Sequence, residues 1–423
     1  MRGSVPGDHG ILRDLAKRYA DVAVADFNTD RRELWRANND LKRPRPPVLC
    51  SWFAGSNVYG FMLDDDLVCV DPELRSHERW LRGMLFHSQI QDDHVFEPWI
   101  TVRAAVQGLD RGRDGLWGFP WKVVRDAESQ AWLPTRYVKQ IADLGSLAAT
   151  PHVVDEVETE RRVGKLHDAI GDVLEINVDR SSCYGPYDGY DLSTALGYLH
   201  GIEEFMLSIY DTPELVRGLL SFMRDSVLDN FAECETAGDW SLANHWTWGH
   251  TYNSELPDPA ANALGAGMGQ IFKLFHAQEF ALVSPKHHWE FMLQYQQPII
   301  EKFGLIEYGC CESLEDKIDM LRKISNLRVI AVNSWAETRK CAEQIGGDYV
   351  LSLRPNPAAV CTGFDADRIR EDLGRELEAC GDCSVEIVLK DIMTVQGEPA
   401  RLIEWGRIAG EEAERFHTAR RGG

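Results

Sequence analysis

Two adjacent cysteines, Cys310 and Cys311, are followed directly by Glu312, and His276 and Glu279 follow another apolar segment. Thiolates, imidazoles and carboxylates are the ligands that zinc prefers in proteins. A zinc ion with three protein ligands keeps a fourth position open and can polarise a substrate heteroatom. We therefore predict a zinc site drawn from these residues.

Simpler roles stay open for several of these side chains. Cys310 and Cys311 could be small buried thiols, and adjacent strand residues point to opposite faces, so only one of them would face a cavity. Glu312 could cap a following helix. A single backbone hydrogen bond could satisfy His276, whereas a carboxylate such as Glu279 is costly to bury without a partner.

A lysine and a carboxylate, Lys390 and Asp391, follow a later apolar segment. We predict that they act as a catalytic acid–base pair; a ligand pair is an alternative, and a mutual salt bridge is the default structural explanation. Residues 245–252 (HWTWGHTY) could form an aromatic wall of a substrate pocket or a packed surface loop. The predicted substrate-binding residues are Tyr187, His245, His250 and Trp335.

Apart from His245 and His250, these candidates follow apolar, β-rich segments that alternate with amphipathic helical ones. Such alternation indicates parallel βαβ units, and so many in succession favour a (β/α)₈ TIM barrel. An open dinucleotide-binding sheet is disfavoured because no G-x-G-x-x-G follows a candidate strand. The predicted strands are 48–50, 173–178, 270–275, 304–308, 327–332, 349–353 and 385–389. The predicted helices are 192–209, 213–233, 287–303, 314–324, 336–345 and 365–379.

In a TIM barrel the active site lies at the carboxyl ends of the strands, where these polar residues are found. We assign residues 1–45 to an N-terminal helical extension and 46–423 to the barrel. The segment 60–130 is rich in tryptophan and glycine without a regular pattern. It is interpreted as long insertions over the barrel mouth.

The formal net charge is −22, from 45 Lys and Arg against 67 Asp and Glu. This excess disfavours nucleic acid and anionic membranes, because both are bound through clustered basic residues. No apolar run is long enough to span a bilayer, and the charged N-terminal segment lacks a signal-peptide core. We expect a soluble, cytoplasmic protein whose ten cysteines are reduced.

Five stretches of the sequence resemble the uroporphyrinogen decarboxylase superfamily, which includes cobalamin-dependent methyltransferases and demethylases. They are 182–187 (SCYGPY), 210–215 (YDTPEL), 283–285 (VSP), 309–312 (GCCE) and 356–357 (NP). The resemblance covers about residues 160–410 and rests on the order and spacing of these stretches. It implies a TIM barrel that commonly forms a homodimer.

Two departures from the family pattern narrow the expected activity. Residues 50–57 lack the arginines with which porphyrinogen decarboxylases bind substrate carboxylates, so that reaction is not expected. Residues 309–312 and Lys390-Asp391 replace the His-x-Cys and later Cys that hold zinc in the methyltransferases. The resemblance implies a zinc-dependent methyltransferase that moves a methyl group from a small organic donor to the cobalamin of a separate corrinoid protein.

Two other functions stay open. One is a decarboxylase of a smaller substrate, whose carboxylates would be recognised by Arg180, Arg354 or Lys390. The other is a barrel that has lost catalysis and serves as a binding subunit.

Overall fold

The computed structural model describes residues 7–51, 66–109, 115–121, 123–125, 132–134, 136–185, 187, 189–392 and 394–422. The segment 50–57, compared above with the arginine loop of the decarboxylases, lies outside these residues from position 52 onward. Residue 186 of the SCYGPY stretch lies outside them too. The described chain is a mixed α/β protein.

The strands lie throughout the chain and the longest belong to its second half. They are β1 (Val48–Cys50), β2 (Trp99–Arg103), β3 (Ala105–Val106), β4 (Val123–Arg125), β5 (Trp132–Pro134), β6 (Val154–Asp155), β7 (Glu175–Asp179), β8 (Phe272–Phe275), β9 (Leu305–Tyr308), β10 (Leu327–Val332), β11 (Val350–Leu353) and β12 (Ser384–Leu389).

Helices separate most of these strands. They are α1 (Asp8–Ala23), α2 (Phe27–Asn39), α3 (Pro72–His87), α4 (Glu156–Ile170), α5 (Ser193–His200), α6 (Ile202–Asp211), α7 (Pro213–Ala237), α8 (Pro285–His288), α9 (Gln294–Ile300), α10 (Ile318–Leu321), α11 (Thr338–Ile345), α12 (Ala358–Cys361), α13 (Ala366–Ala379) and α14 (Ala400–Gly422). None of the described helices combines the length and apolar character that a bilayer crossing needs.

Six strands form one curled parallel sheet in the order β1-β12-β11-β10-β9-β8. A separate parallel pair joins β2 to β7, and the remaining short strands form antiparallel pairs. Among the described residues no strand ladder joins β1 to β2 or β7 to β8. The parallel order predicted from the sequence is therefore confirmed for a half-barrel, and these ladders do not close a ring of eight strands.

Side chains alternate between the two faces of the six-stranded sheet, as the strand period requires. Apolar residues such as Ile330, Leu351 and Ile387 belong to the main core formed with the surrounding helices. The opposite face is also buried, yet it carries Glu307 and Arg354 as an ion pair. This polar inner face leads to the strand ends that hold the candidate active site.

Two sequence predictions need correction. The segment 60–130 is not all irregular, because it contains helix α3 and strand β2, whose Ile100 and Val102 are buried. Asp71 caps α3 by accepting N–H groups of the first turn, a signal that the surrounding charged residues obscured. The predicted helix 192–209 is broken at Gly201, which adopts a φ of +96° and immediately precedes α6.

Candidate active site

Four of the predicted residues meet at the carboxyl ends of β9 and β12. The sulfur atoms of Cys310 and Cys311 are 3.5 Å apart, and Lys390 Nζ lies 3.6 Å from the first and 3.2 Å from the second. Asp391 forms an ion pair with Lys390, and its Oδ2 lies 3.6 Å from Cys311 Sγ. We call these four residues the thiol cluster.

The turn after β9 allows both sulfurs to face the same space. Gly309 has a φ of +116°, and a Cβ at this position would lie 2.7 Å from Leu314 and 2.9 Å from Ala331. Only glycine fits this conformation and this gap. The strand therefore ends before Cys310, and the rule that adjacent strand residues point opposite ways no longer applies.

The two thiols of the cluster are electrostatically unequal. Cys310 is buried, and the hydrogen bond to Cys311 together with burial raises its pKa. Cys311 is exposed, and the hydrogen bond from Cys310 and the charge of Lys390 lower its pKa. Negative charge in this pair therefore rests on Cys311 Sγ, next to the Lys390 ammonium group.

A second group of potential ligands lies nearby and was only partly foreseen. One ligand atom each from Asp191, His276 and Glu279 lies within 4.8 Å of the others, and it is the sole metal-ligand group of this kind among the described residues. His276 Nε2 is 3.7 Å from Asp191 Oδ2, and both side chains are fully buried. We call these three residues the triad.

Hydroxyl groups at the start of α5 orient the triad carboxylates. Ser193 and Thr194 donate to Glu279, the latter over 3.1 Å. The backbone N–H of Thr194 donates to Asp191 Oδ2 at 3.0 Å. Such bonds to ligand carboxylates fix their orientation around a metal ion.

A buried glutamine on α9 holds two triad residues together through their backbones. Gln296 Nε2 donates to the carbonyl oxygens of Asp191 and His276 at 2.6 and 2.7 Å. The Tyr308 hydroxyl in turn donates to Gln296 Oε1 at 2.8 Å. The side chain of Gln296 thus links the strand end of β8 to the loop that precedes α5.

Tyr187 lies between the triad and the thiol cluster. Its hydroxyl is 3.3 Å from Cys310 Sγ, and its ring centroid is 4.7 Å from that of His276. Burial raises the pKa of Tyr187 far above its ordinary value, so the hydroxyl keeps its proton. The tryptophans Trp246 and Trp248 pack against the same ring, and Lys390 Nζ lies 4.9 Å from the Trp248 centroid.

The Glu312 carboxylate is bound by backbone amides and belongs to neither group of side chains. Its two carboxylate oxygens accept the backbone N–H groups of Ala277 and Cys310 at 2.8 and 2.9 Å. The residue is fully buried and does not cap a helix, since the next helix α10 begins only at Ile318. Its carboxylate fixes the turn that carries the thiols.

The other predicted substrate-binding residues lie at different places. His245 and His250 line a cavity of about 600 Å³ that also includes Trp248. His250 Nε2 accepts the backbone N–H of Val95 at 3.0 Å. Trp335 is 80% exposed and extends from the strand end into solvent rather than into this cavity.

Sequence reasoning missed Asp191 and Gln296. Asp191 lies four positions after the end of the 182–187 stretch that carried the family resemblance, and this proximity was the available signal. It also missed that two carboxylate-binding candidates are already paired: Arg354 with Glu307, and Arg180 with Glu156 and Asp239. Burial raises the pKa of Glu307 to about 7, although the charge of Arg354 acts in the opposite direction.

Comparison with known proteins finds a likeness to solved structures. No protein-family model and no curated protein matches the chain. The chain is similar to the solved structure of a methyltransferase from Methanosarcina mazei, with 13% identity and a TM-score of 0.49, over 91% of this chain and 98% of that chain. This level of similarity assigns neither a family nor an activity.

Proposed function

We propose that this protein is a metal-dependent methyltransferase that moves a methyl group from a small organic donor to the corrinoid of a separate protein. The observation that carries the proposal is the position of Tyr187, which contacts the triad on one side and the thiol cluster on the other. A potential metal site and a set of proton-transferring groups therefore border one space at the strand ends.

The triad fits a divalent metal ion. An imidazole and two carboxylates match the donor types and the ligand number of a catalytic zinc site, which keeps a fourth position open. Two carboxylates held this close repel each other, and a cation between them removes that repulsion. When bound, zinc supplies Lewis acidity to the heteroatom that carries the methyl group.

The thiol cluster fits a metal ion less well. The Lys390 ammonium group lies within hydrogen-bond distance of both sulfurs and already compensates the charge of a thiolate. Of the five ligands predicted from the sequence, we therefore retain His276 and Glu279 in the proposed metal site. Asp191 is added as the third ligand. Cys310 and Cys311 are proposed not to bind the metal ion but to contact Lys390, the proposed proton donor.

In the proposed reaction the bond between the methyl carbon and its heteroatom breaks as the corrinoid cobalt takes up the methyl group. The heteroatom leaves with the electron pair and needs a proton. Lys390 is the donor, and Asp391 and Cys311 hold its ammonium group at the edge of the space. The rings of Tyr187, Trp246 and Trp248 exclude water from this region.

The finer barrel prediction belongs to the same proposal. Irregular segments lie beside the two outer strands of the six-stranded sheet. Next to β1, Asp93 N–H donates to Val48 O, and next to β8, Trp246 N–H donates to Phe272 O. We propose that β2 and β7 complete a TIM barrel with the six-stranded sheet through these irregular segments.

Metal analysis of purified variants tests the triad. We expect about one zinc ion per chain in the unmodified protein, and its loss in His276→Gln and in Glu279→Gln. Cys311→Ser is the matched control and should retain the metal. Loss of zinc in Cys311→Ser but not in His276→Gln would move the site to the thiols. A protein without metal under all loading conditions would refute metal dependence.

An ultraviolet-visible assay tests the reaction itself. The protein is mixed with Co(I) cobalamin and a panel of methyl ethers, methylamines and methyl thioethers. Formation of methylcobalamin with at least one donor, lost in His276→Gln, is the expected result. Release of carbon dioxide from a carboxylate substrate would instead favour the decarboxylase.

A further inference from the structure

A second cavity lies away from the thiol cluster, beside strands β7 and β8. Its volume is about 320 Å³, and its lining includes Lys273, Trp240, Trp246, His245 and Asp179. This size lies at the lower end of the range that small-molecule sites occupy. The proposed methyl transfer uses Trp246 of this lining as an apolar wall and none of its charged residues.

Lys273 is an unusual residue of this cavity because its charge is buried. The residue is only 8% exposed, and its Nζ lies 5.7 Å from the centroid of the Trp240 ring. Across the described ranges of the chain, Lys273 has neither an ion pair nor a hydrogen bond to its ammonium group. Burial lowers its pKa to about 8, so the group is still mostly charged at neutral pH. A buried cation without an acceptor is costly unless a ligand supplies one.

The neighbouring charges do not supply that acceptor. The Asp179 carboxylate pairs with Arg103 at 2.7 Å and accepts from Asn244 Nδ2 at 2.8 Å and from the Ser181 backbone at 3.0 Å. Asp179 and Arg103 cancel each other, so Lys273 leaves the lining with one uncompensated positive charge. This charge selects a monoanion.

His245 also lines this cavity and carries a second donor without a partner in the described chain. Its Nδ1 accepts the backbone N–H of Phe272 at 3.1 Å, and burial lowers the pKa of His245 to about 4. The imidazole is therefore neutral and carries its proton on Nε2. Nε2 is buried and has no partner within the described chain.

We propose that this cavity binds a small monocarboxylate with a flat apolar body. Its carboxylate accepts from Lys273 Nζ and His245 Nε2, and its body lies against the indole rings of Trp240 and Trp246. The ammonium group and the imidazole N–H supply the charge-assisted hydrogen bonds, and the tryptophans supply the apolar walls.

Binding of benzoate to the full chain tests the proposal, with calorimetry and tryptophan fluorescence as readouts. Benzoate should bind about tenfold or more tightly than benzamide, which has the same shape without the charge. Lys273→Met should lose this preference, and Lys286→Met, which changes an exposed lysine, should keep it.

The stability of ligand-free Lys273→Met shows whether a loss of benzoate binding comes from the missing charge or from a failure to fold. Lys273→Met removes a buried charge and should raise the urea midpoint of the ligand-free protein, so a failure to fold is not expected. Equal affinity for benzoate and benzamide, or unchanged benzoate binding in Lys273→Met, would overturn the proposal. A site in which neither compound binds would overturn it as well. His276→Gln should leave benzoate binding unchanged, because the triad is separate from this cavity.

Discussion

At the scale of single residues, the thiol cluster shows how neighbours with the same chemistry acquire different roles. Cys310 and Cys311 are identical in type, yet Cys310 is buried and has a raised pKa, whereas Cys311 is exposed, has a lowered pKa and lies nearest to Lys390. The charge of Lys390 acts on both sulfurs, but only the pKa of Cys311 is lowered overall, so the thiolate forms on Cys311. Because the thiolate is the reactive form, the two residues should differ in reactivity.

We expect iodoacetamide to alkylate Cys311 before the other cysteines at about pH 7. Lys390→Met should slow this labelling several-fold, because loss of the ammonium group raises the pKa of Cys311. Peptide mass spectrometry over time measures the rates.

Alkaline buffer provides the control for this prediction. Raising the pH should restore fast labelling in Lys390→Met, since the thiol then ionises without help. Equal labelling rates of both proteins at neutral pH would show that Lys390 does not stabilise the thiolate.

At the scale of elements, the triad depends on how helix α9 packs against the end of β8. The Gln296 side chain joins the backbones of Asp191 and His276, residues that lie 85 positions apart in the chain. Both of these hydrogen bonds are buried and therefore shielded from water. The helix thereby fixes the distance between two of the proposed ligands.

Gln296→Leu should therefore weaken both the fold and the metal site. It removes the Gln296 donor from the His276 carbonyl and one of two donors from the Asp191 carbonyl, while the Tyr308 hydroxyl keeps only its bond to His288. We expect a loss of about 1–3 kcal/mol in the free energy of unfolding. Zinc affinity should fall roughly 10- to 100-fold. Urea unfolding and a zinc titration measure the two effects.

Gln297→Leu is the matched control on the same helix. Gln297 Nε2 donates to the exposed Glu301 carboxylate, so this change should alter neither quantity appreciably. A Gln296→Leu protein that unfolds earlier but binds zinc normally would limit Gln296 to a structural role.

At the scale of the whole molecule, buried histidines make stability depend on pH. Burial lowers the pKa of His250 to about 3, and the Val95 N–H bond requires its unprotonated Nε2. In the unfolded chain the pKa returns to about 6.5. Below this pH the unfolded state binds a proton that the folded state does not, so stability falls as the pH drops from about 6.5 towards 3.

For His250 alone, we expect a loss of roughly 2 kcal/mol in the free energy of unfolding between about pH 7 and pH 5. His250→Gln should lose correspondingly less over this interval, as measured by urea unfolding at both pH values. His9→Gln, at an exposed position, should behave like the unmodified protein. An unchanged pH dependence in His250→Gln would contradict the assignment.

The sequence alone determined the parallel strand–helix framework and the places where polar groups follow strands. It did so because the residue pattern within a short stretch is enough to predict an apolar strand or an amphipathic helix. Strand β10 is an example, since its bounds match the prediction. The helix α3 escaped detection because its apolar positions lie among many charges. Local patterns could also point to Cys310, Cys311, Lys390 and Asp391, since each pair directly follows a strand.

Only the tertiary structure decided which of these groups meet. It places His276 and Glu279 next to Asp191 rather than next to the thiols. The Glu312 carboxylate accepts backbone N–H groups, and Trp335 is exposed to solvent. It also brings Lys273 and His245 to one cavity. Such contacts join residues far apart in the chain, and they depend on helix packing and on turn conformations such as that of Gly309, which no short stretch of sequence encodes.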